Sequence, residues 1–127
     1  DMNQSIAVIM CDLNGLKKIN DSLGHPAGDK YICDAAEILV ACFDDQNVYR
    51  VGGDEFIIVL QGITKADLTI RTDRLQLYAD LKKISLSFGV SYRTNSKEHF
   101  ETLLREADKK MYVQKKHYYE NLSLSRE

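Results

Sequence analysis

Two carboxylates stand on a glycine turn in Val48-Tyr49-Arg50-Val51-Gly52-Gly53-Asp54-Glu55-Phe56-Ile57-Ile58-Val59-Leu60, where two β-rich runs meet. Gly52 and Gly53 suit a tight hairpin, because they reach positive φ without strain and, lacking a Cβ, let a ligand approach the backbone. A hairpin tip alone has no use for two acids. Upstream, the apolar run Ile6-Ala7-Val8-Ile9-Met10-Cys11 stops at Asp12. If that run and the hairpin are neighbours in one sheet, Asp12 and Asp54 converge at its edge in an oxygen-only site of high negative charge. Hard cations such as Mg²⁺ suit such a site, held by one or two carboxylates plus waters and substrate phosphates. Two ions roughly 3.5–4 Å apart clamp an attacking hydroxyl and a leaving phosphate oxygen in line, which is phosphoryl- or nucleotidyl-transfer chemistry.

The elements that must position these acids are legible as a coarse order of strand, short helix, helix, hairpin, helix, strand, helix. The run ending at Asp12 is short and continuously apolar, as a strand buried on both faces requires. From Gly28 to Phe43, Tyr31, Ala35, Ile38, Leu39 and Cys42 recur at helical steps. Ile84, Leu86, Phe88, Val90 and Tyr92 alternate with small and polar residues as a half-buried strand does, and Phe100, Leu103, Leu104, Ala107 and Met111 restore helical spacing. An α/β sandwich follows, with helices on a central sheet that the hairpin makes at least partly antiparallel. The end from Tyr118 to Glu127 is expected to fray.

A chain of 127 residues is sized for a single domain, 1–127. Seventeen basic against nineteen acidic residues leave a net charge of −2, which disfavours nucleic acid as a partner. No apolar run approaches a membrane span and no signal-peptide pattern opens the chain, so a domain without direct membrane contact is expected in the cytoplasm. Cys11, Cys33 and Cys42 are odd in number, lack C-x-x-C spacing and lie in apolar segments, and read as small buried hydrophobes in a reducing compartment. His99 and His117 read as surface residues.

Gly52-Gly53-Asp54-Glu55-Phe56, with Asp12-Leu13-Asn14-Gly15-Leu16-Lys17-Lys18-Ile19-Asn20-Asp21 and Gly24-His25-Pro26-Ala27-Gly28-Asp29, resembles the GGDEF domain of the diguanylate cyclase family. Ser87-Phe88-Gly89-Val90 and Ala107-Asp108-Lys109-Lys110-Met111-Tyr112 are similar to two further family motifs, and the match runs from about Ile6 to Lys115. The resemblance implies a palm-like fold with a ferredoxin-like core and a mainly antiparallel sheet. It implies condensation of two GTP into cyclic di-GMP with loss of two pyrophosphates, each ribose 3′-hydroxyl attacking the α-phosphate held by the partner of a homodimer. It also implies two Mg²⁺ (or Mn²⁺) per site, held by Asp12, Asp54 and Glu55 with the Leu13 carbonyl. Glu55 completes the second metal or helps deprotonate the 3′-hydroxyl, and Asp54 has a claim to the same role. Lys17 corresponds to the lysine that the family places at the transition state, on a loop that brings its ammonium to the triphosphate.

Asn20 and Asp29 match the family's guanine readers. Guanine offers N1–H and N2–H₂ as adjacent donors that a carboxylate accepts as a fork. Adenine would leave a buried Asp29 unpaired, and sites of this kind reject such analogues by about 10⁴-fold. His25, between the readers, is placed to stack on or hydrogen-bond the ligand, and Lys115 matches a phosphate-binding lysine. Read without the resemblance, Asp12 caps the turn after a strand, Asn20 is a turn residue, Asp29 is a helix N-terminal acid, and His25 is a packed loop histidine.

Three departures bear on function. The stretch where many relatives carry an inhibitory R-x-x-D is Phe43-Asp44-Asp45-Gln46, so product inhibition there is expected to be absent. Tyr119 stands where an arginine would contact the triphosphate, a loss of order 1.5–3 kcal/mol unless another cation such as Arg105 replaces it. The family's D-x-L-T-G-L-x-N-R turn and the helix before it are missing, as in a fragment of a longer signalling protein with an upstream sensory or receiver module. The rival reading is a catalytically silent module that binds GTP or a protein partner. A palm-like enzyme for another nucleotide fits poorly with Asp29 and the lack of a basic groove.

Overall fold

In a computed structural model that describes residues 3–125, the chain forms β1 (Ile6–Leu13), α1 (Leu16–Leu23), α2 (His25–Phe43), β2 (Val48–Arg50), β3 (Glu55–Gln61), α3 (Lys65–Lys82), β4 (Leu86–Arg93) and α4 (Phe100–Ser125). A 3₁₀ turn, Asp45–Asn47, leads from α2 into β2. The sheet order is β2-β3-β1-β4 and every pairing is antiparallel, so the expectation of a partly antiparallel sheet is exceeded. Without α1 and α4, this order and connectivity are those of a ferredoxin-like core.

The apolar continuity of β1 follows from its place in the middle of two layers. Ala7, Ile9, Cys11 and Leu13 belong to the larger core under α2 and α3, whereas Val8 and Met10 pack with Leu103, Ala107 and Met111 of α4. β3 has less cover on the α4 side, and its burial alternates.

Three element ends differ from the sequence reading. α2 begins at His25 rather than Gly28, because Pro26 in its first turn has a preset φ and needs no N–H partner there. β4 begins two residues later than Ile84, since Ser85 bonds to Tyr31 and Asn14 outside the ladder. α4 stays helical from Tyr118 to Ser125, where fraying is expected, because Tyr118 is half-buried with its hydroxyl over Gly15. Arg126 and Glu127 lie outside the described residues.

α4 is docked unusually close to the sheet. A Cβ on Gly89 of β4 would overlap the Ala107 carbonyl and the Met111 amide. Ser91 Oγ donates to Leu103 O at 2.8 Å, Lys110 Nζ to Val90 O at 3.0 Å, and Phe88 N to Gln114 Oε1 at 3.0 Å. The last two bonds occupy backbone groups of an edge strand that would otherwise lack partners. They also fix the helix that carries Lys115.

Candidate functional site

β1 and β3 pair in register with Asp12 opposite Glu55, and Leu13 N donates to Asp54 O at 2.9 Å. Strand pairing therefore brings the end of the apolar run to the start of the strand after the glycine turn. One carboxylate oxygen each from Asp12, Asp54 and Glu55 falls within 4.8 Å of the others.

Asp12 is 2% exposed, and among the described residues its Oδ1 has no hydrogen-bond partner. Its Oδ2 accepts from Lys115 Nζ at 2.7 Å. Burial pushes the Asp12 carboxyl above the usual carboxylate range and the Asp54 charge adds to this, while the lysine opposes it without cancelling it. Lys115 is itself raised, first by its bond to Asp12. A buried, unpartnered carboxylate oxygen facing two more acids is a hard-oxygen donor set that fits a divalent cation.

The turn before Asp54 differs from expectation. Positive φ among the described glycines is confined to Gly15, Gly24 and Gly62, so Gly52 and Gly53 are not there for a left-handed backbone. Four residues, Val51 to Asp54, separate the strands, and that length closes without positive φ. Arg50 closes it instead, its Nε donating to Gly52 O at 3.1 Å and its Nη2 to Gly53 O at 2.9 Å. At Gly53 a Cβ would meet nothing within 4 Å, so the backbone there faces open space.

On the other side of Asp12, Asn14 is buried and held at both ends of its amide. Ser87 Oγ donates to Asn14 Oδ1 at 3.0 Å, and Asn14 Nδ2 donates to Ser85 Oγ at 3.1 Å. Tyr31 Oη donates to Asn14 O at 3.1 Å. This network fixes the backbone that carries the Leu13 carbonyl.

The remaining predicted residues lie on α1 and in the first turns of α2. Lys17 is exposed on the first turn of α1, not on a loop, and lines a crevice of about 590 Å³ with Gly15, Lys18, Tyr118 and Tyr119. Asn20 is inside α1 rather than in a turn, and its amide lies against Gly28, where a Cβ would overlap it. His25 and Asp29 are both exposed on the first turns of α2. Asp29 is thus not a buried charge in the free protein, and any rejection of adenine through it requires the ligand itself to exclude water.

Arg105 is not at the site. It lines a separate groove with Arg93 and Glu106, ten residues and about 15 Å along α4 from Lys115 at the helical rise. Tyr119 is 46% exposed and packs edge-on to Tyr118, with centroids 4.9 Å apart. Cys11 and Cys42 are buried as expected, but Cys33 is exposed on α2. His99 and His117 are exposed. The Arg50 bonds, the Asn14 network and the Lys115–Asp12 pair have no sequence signal of their own, although Arg50 sits beside the motif.

Fold and site together define a palm-like α/β domain with an acidic oxygen cluster at one end of its central strands. The chain belongs to the GGDEF family: the profile described as "Diguanylate cyclase, GGDEF domain" matches residues 1–121. It is 28% identical to diguanylate cyclase A of Treponema denticola over 99% of this chain and 37% of that protein. It is also 28% identical to the cyclic di-GMP phosphodiesterase PdeR of Escherichia coli, over 89% of this chain and 18% of that protein. The active GGEEF domain of a diguanylate cyclase from Vibrio cholerae superposes with a TM-score of 0.74 at 28% identity, over 90% of this chain and 78% of that one. The chain thus spans less than two fifths of either curated relative.

Proposed function

We propose that this domain is a diguanylate cyclase that condenses two GTP into cyclic di-GMP and two pyrophosphates across a homodimer. The observation that carries the reading is the Asp12–Asp54–Glu55 cluster with its unpartnered, buried Asp12 Oδ1. Asp12, Asp54 and Glu55 would hold two Mg²⁺ or Mn²⁺, with the Leu13 carbonyl as a backbone ligand. When bound, such ions supply Lewis-acid stabilisation of the charge that develops on the phosphate and on the attacking oxygen.

The chain's own residues do the rest. Asp54 or Glu55 accepts the 3′-hydroxyl proton. Lys17 and Lys115 contact the polyphosphate as point charges, and Lys17 stabilises the transition state. Gly52 and Gly53 keep the turn bare for the nucleotide. Asn20 and Asp29 bond to the guanine edge across the α1–α2 corner, and His25 stacks at its rim. Two domains, each holding one GTP, turn a bimolecular encounter into an intramolecular one.

The chain spans only part of the curated relatives' length, and we assign the setting of pairing to an upstream sensory or receiver module. We place residues 1–127 in one GGDEF domain that works in the cytoplasm, where its substrate is. Among the described residues no helix is long and apolar enough to cross a membrane.

Fusion of the domain to a dimeric coiled coil, incubation with GTP and Mg²⁺, and mass spectrometry of the products test the reading. Cyclic di-GMP is expected from the wild-type fusion and not from Asp54→Ala. GTP that binds and stays intact supports a second reading, a silent GTP-binding or protein-interaction module. Exposed Tyr119 in the crevice favours that second reading, as does the PdeR relative, named for hydrolysis rather than synthesis.

A further inference from the structure

Lys115 reaches Asp12 from a helix that cannot follow it elsewhere. Its neighbour Gln114 is bonded to the β4 backbone, as is Lys110 one turn earlier, and Gly89 leaves no slack between α4 and the sheet. Only the lysine side chain is free to move, and it is one-third exposed on its outer side. Among the described residues Lys115 is the one cation in ion-pair contact with the cluster of Asp12, Asp54 and Glu55. A single ammonium offsets one of three negative charges.

A divalent cation offsets two charges and prefers the same carboxylate oxygens. A cation on the free Asp12 Oδ1 would face the Lys115 ammonium held on Oδ2 of the same buried carboxylate, and the two like charges repel strongly at that separation. We infer that Lys115 is an internal stand-in for the cation, displaced from Asp12 when the cation enters and taken up by the substrate polyphosphate. This rests on the metal-site reading above. Its consequence is a linkage: the polyphosphate gives the displaced lysine a partner, so cation and nucleotide raise each other's affinity by the same factor. Metal alone binds against the ion pair, and metal with nucleotide does not.

The test is Mn²⁺ binding to the domain followed by electron paramagnetic resonance, with and without GTP, on wild type, Lys115→Met, Lys115→Arg and Asp54→Ala. Circular dichroism establishes that each variant is folded. Lys115→Met is expected to bind Mn²⁺ alone about tenfold more tightly than wild type, since the competing charge is gone. It is expected to bind the Mn²⁺–GTP complex less tightly, whereas Lys115→Arg behaves as wild type in both cases. This opposite-signed pair of effects is not what a merely structural lysine produces. Equal or weaker Mn²⁺ binding by Lys115→Met overturns the inference while leaving the metal site intact, provided Asp54→Ala still abolishes binding. Tighter binding of both ligands by Lys115→Met overturns the linkage, leaving only a competing counter-ion. If wild type and Asp54→Ala bind Mn²⁺ equally poorly in both conditions, the metal-site reading fails and this inference with it.

Discussion

At the scale of single residues, Asp12 is the group whose folded environment opposes its own charge. Burial raises its carboxyl above the ordinary value of 3.8, Asp54 adds to that, and the bond from Lys115 recovers only part of it. A raised folded value means that protonated Asp12 favours the folded state. Its contribution is therefore full below the unfolded value and lost as pH rises through the folded one, so ionised Asp12 destabilises the metal-free protein at neutral pH. Lys115 acts at the other end of the scale. Its folded value is raised above 10.5, so its contribution is full below that ordinary value and is lost as pH rises from there through the folded one. Removing one partner of a buried pair is damaging when it strands a charge, but Lys115 is one-third exposed and keeps Asp54 nearby. In a chelating buffer at pH 7, Asp12→Asn is thus expected to be as stable as wild type or more so, by on the order of 1 kcal/mol. The difference should shrink as pH falls toward 4. Urea denaturation across that pH series checks it, and a variant markedly less stable at pH 7 would mean that the ion pair outweighs the burial. Asp12 was legible in sequence because an apolar run ends on it. Lys115 was legible only through the resemblance, as a phosphate-binding lysine, and its pairing with Asp12 was not, since the two lie 103 residues apart.

At the scale of elements, the site depends on how closely α4 lies on β4. A methyl at Gly89 would overlap the Ala107 carbonyl and the Met111 amide, which are helix backbone and cannot rotate away. Gly89→Ala is therefore expected to cost about 1–3 kcal/mol through overpacking. It should also shift α4 outward and lengthen the reach that Lys115 must span. Chemical denaturation gives the first effect. For the second, the Lys115 ammonium resonance and its pH dependence should move toward those of an exposed lysine, and an unchanged Lys115 signal in a destabilised variant would separate packing from the site. The elements themselves could be read from periodicity, a continuous apolar run for β1 and alternation for β4, but β4 is not half-buried as its alternation implies: its small residues Ser87, Gly89 and Ser91 are the ones buried, under α4, while Leu86, Phe88, Val90 and Tyr92 pack against the larger core. Local backbone geometry could not be read so well. Gly52 and Gly53 suggested a left-handed turn, yet a four-residue connection clamped by Arg50 needs none, and a side-chain bond to backbone carbonyls leaves no periodic trace.

At the scale of the whole molecule, sheet order was legible through the family resemblance, which implied a ferredoxin-like core, and not through periodicity, which reports only which face of a strand is buried while β1 pairs with β3 and β4 across long intervening segments. That order sets the site at one end of the sheet, with the Gly53 backbone facing open space. Geometry of this kind leaves room for a second molecule and supplies only one acidic cluster per chain among the described residues. If each cluster handles one nucleotide, the cyclic product needs two intact clusters in one pair. For the free domain, cyclic di-GMP formed per chain should then rise in proportion to protein concentration. For a coiled-coil fusion it should stay flat on dilution and exceed the free domain by on the order of 10²-fold at micromolar protein, through effective concentration alone. Mixing wild-type and Asp54→Ala free domains at constant total concentration distinguishes this from an enzyme that cyclises within one chain. Cyclic product should fall with the square of the wild-type fraction, because a pair with one disabled cluster can join two nucleotides once but cannot close the ring. A fall in simple proportion would assign the whole reaction to a single domain.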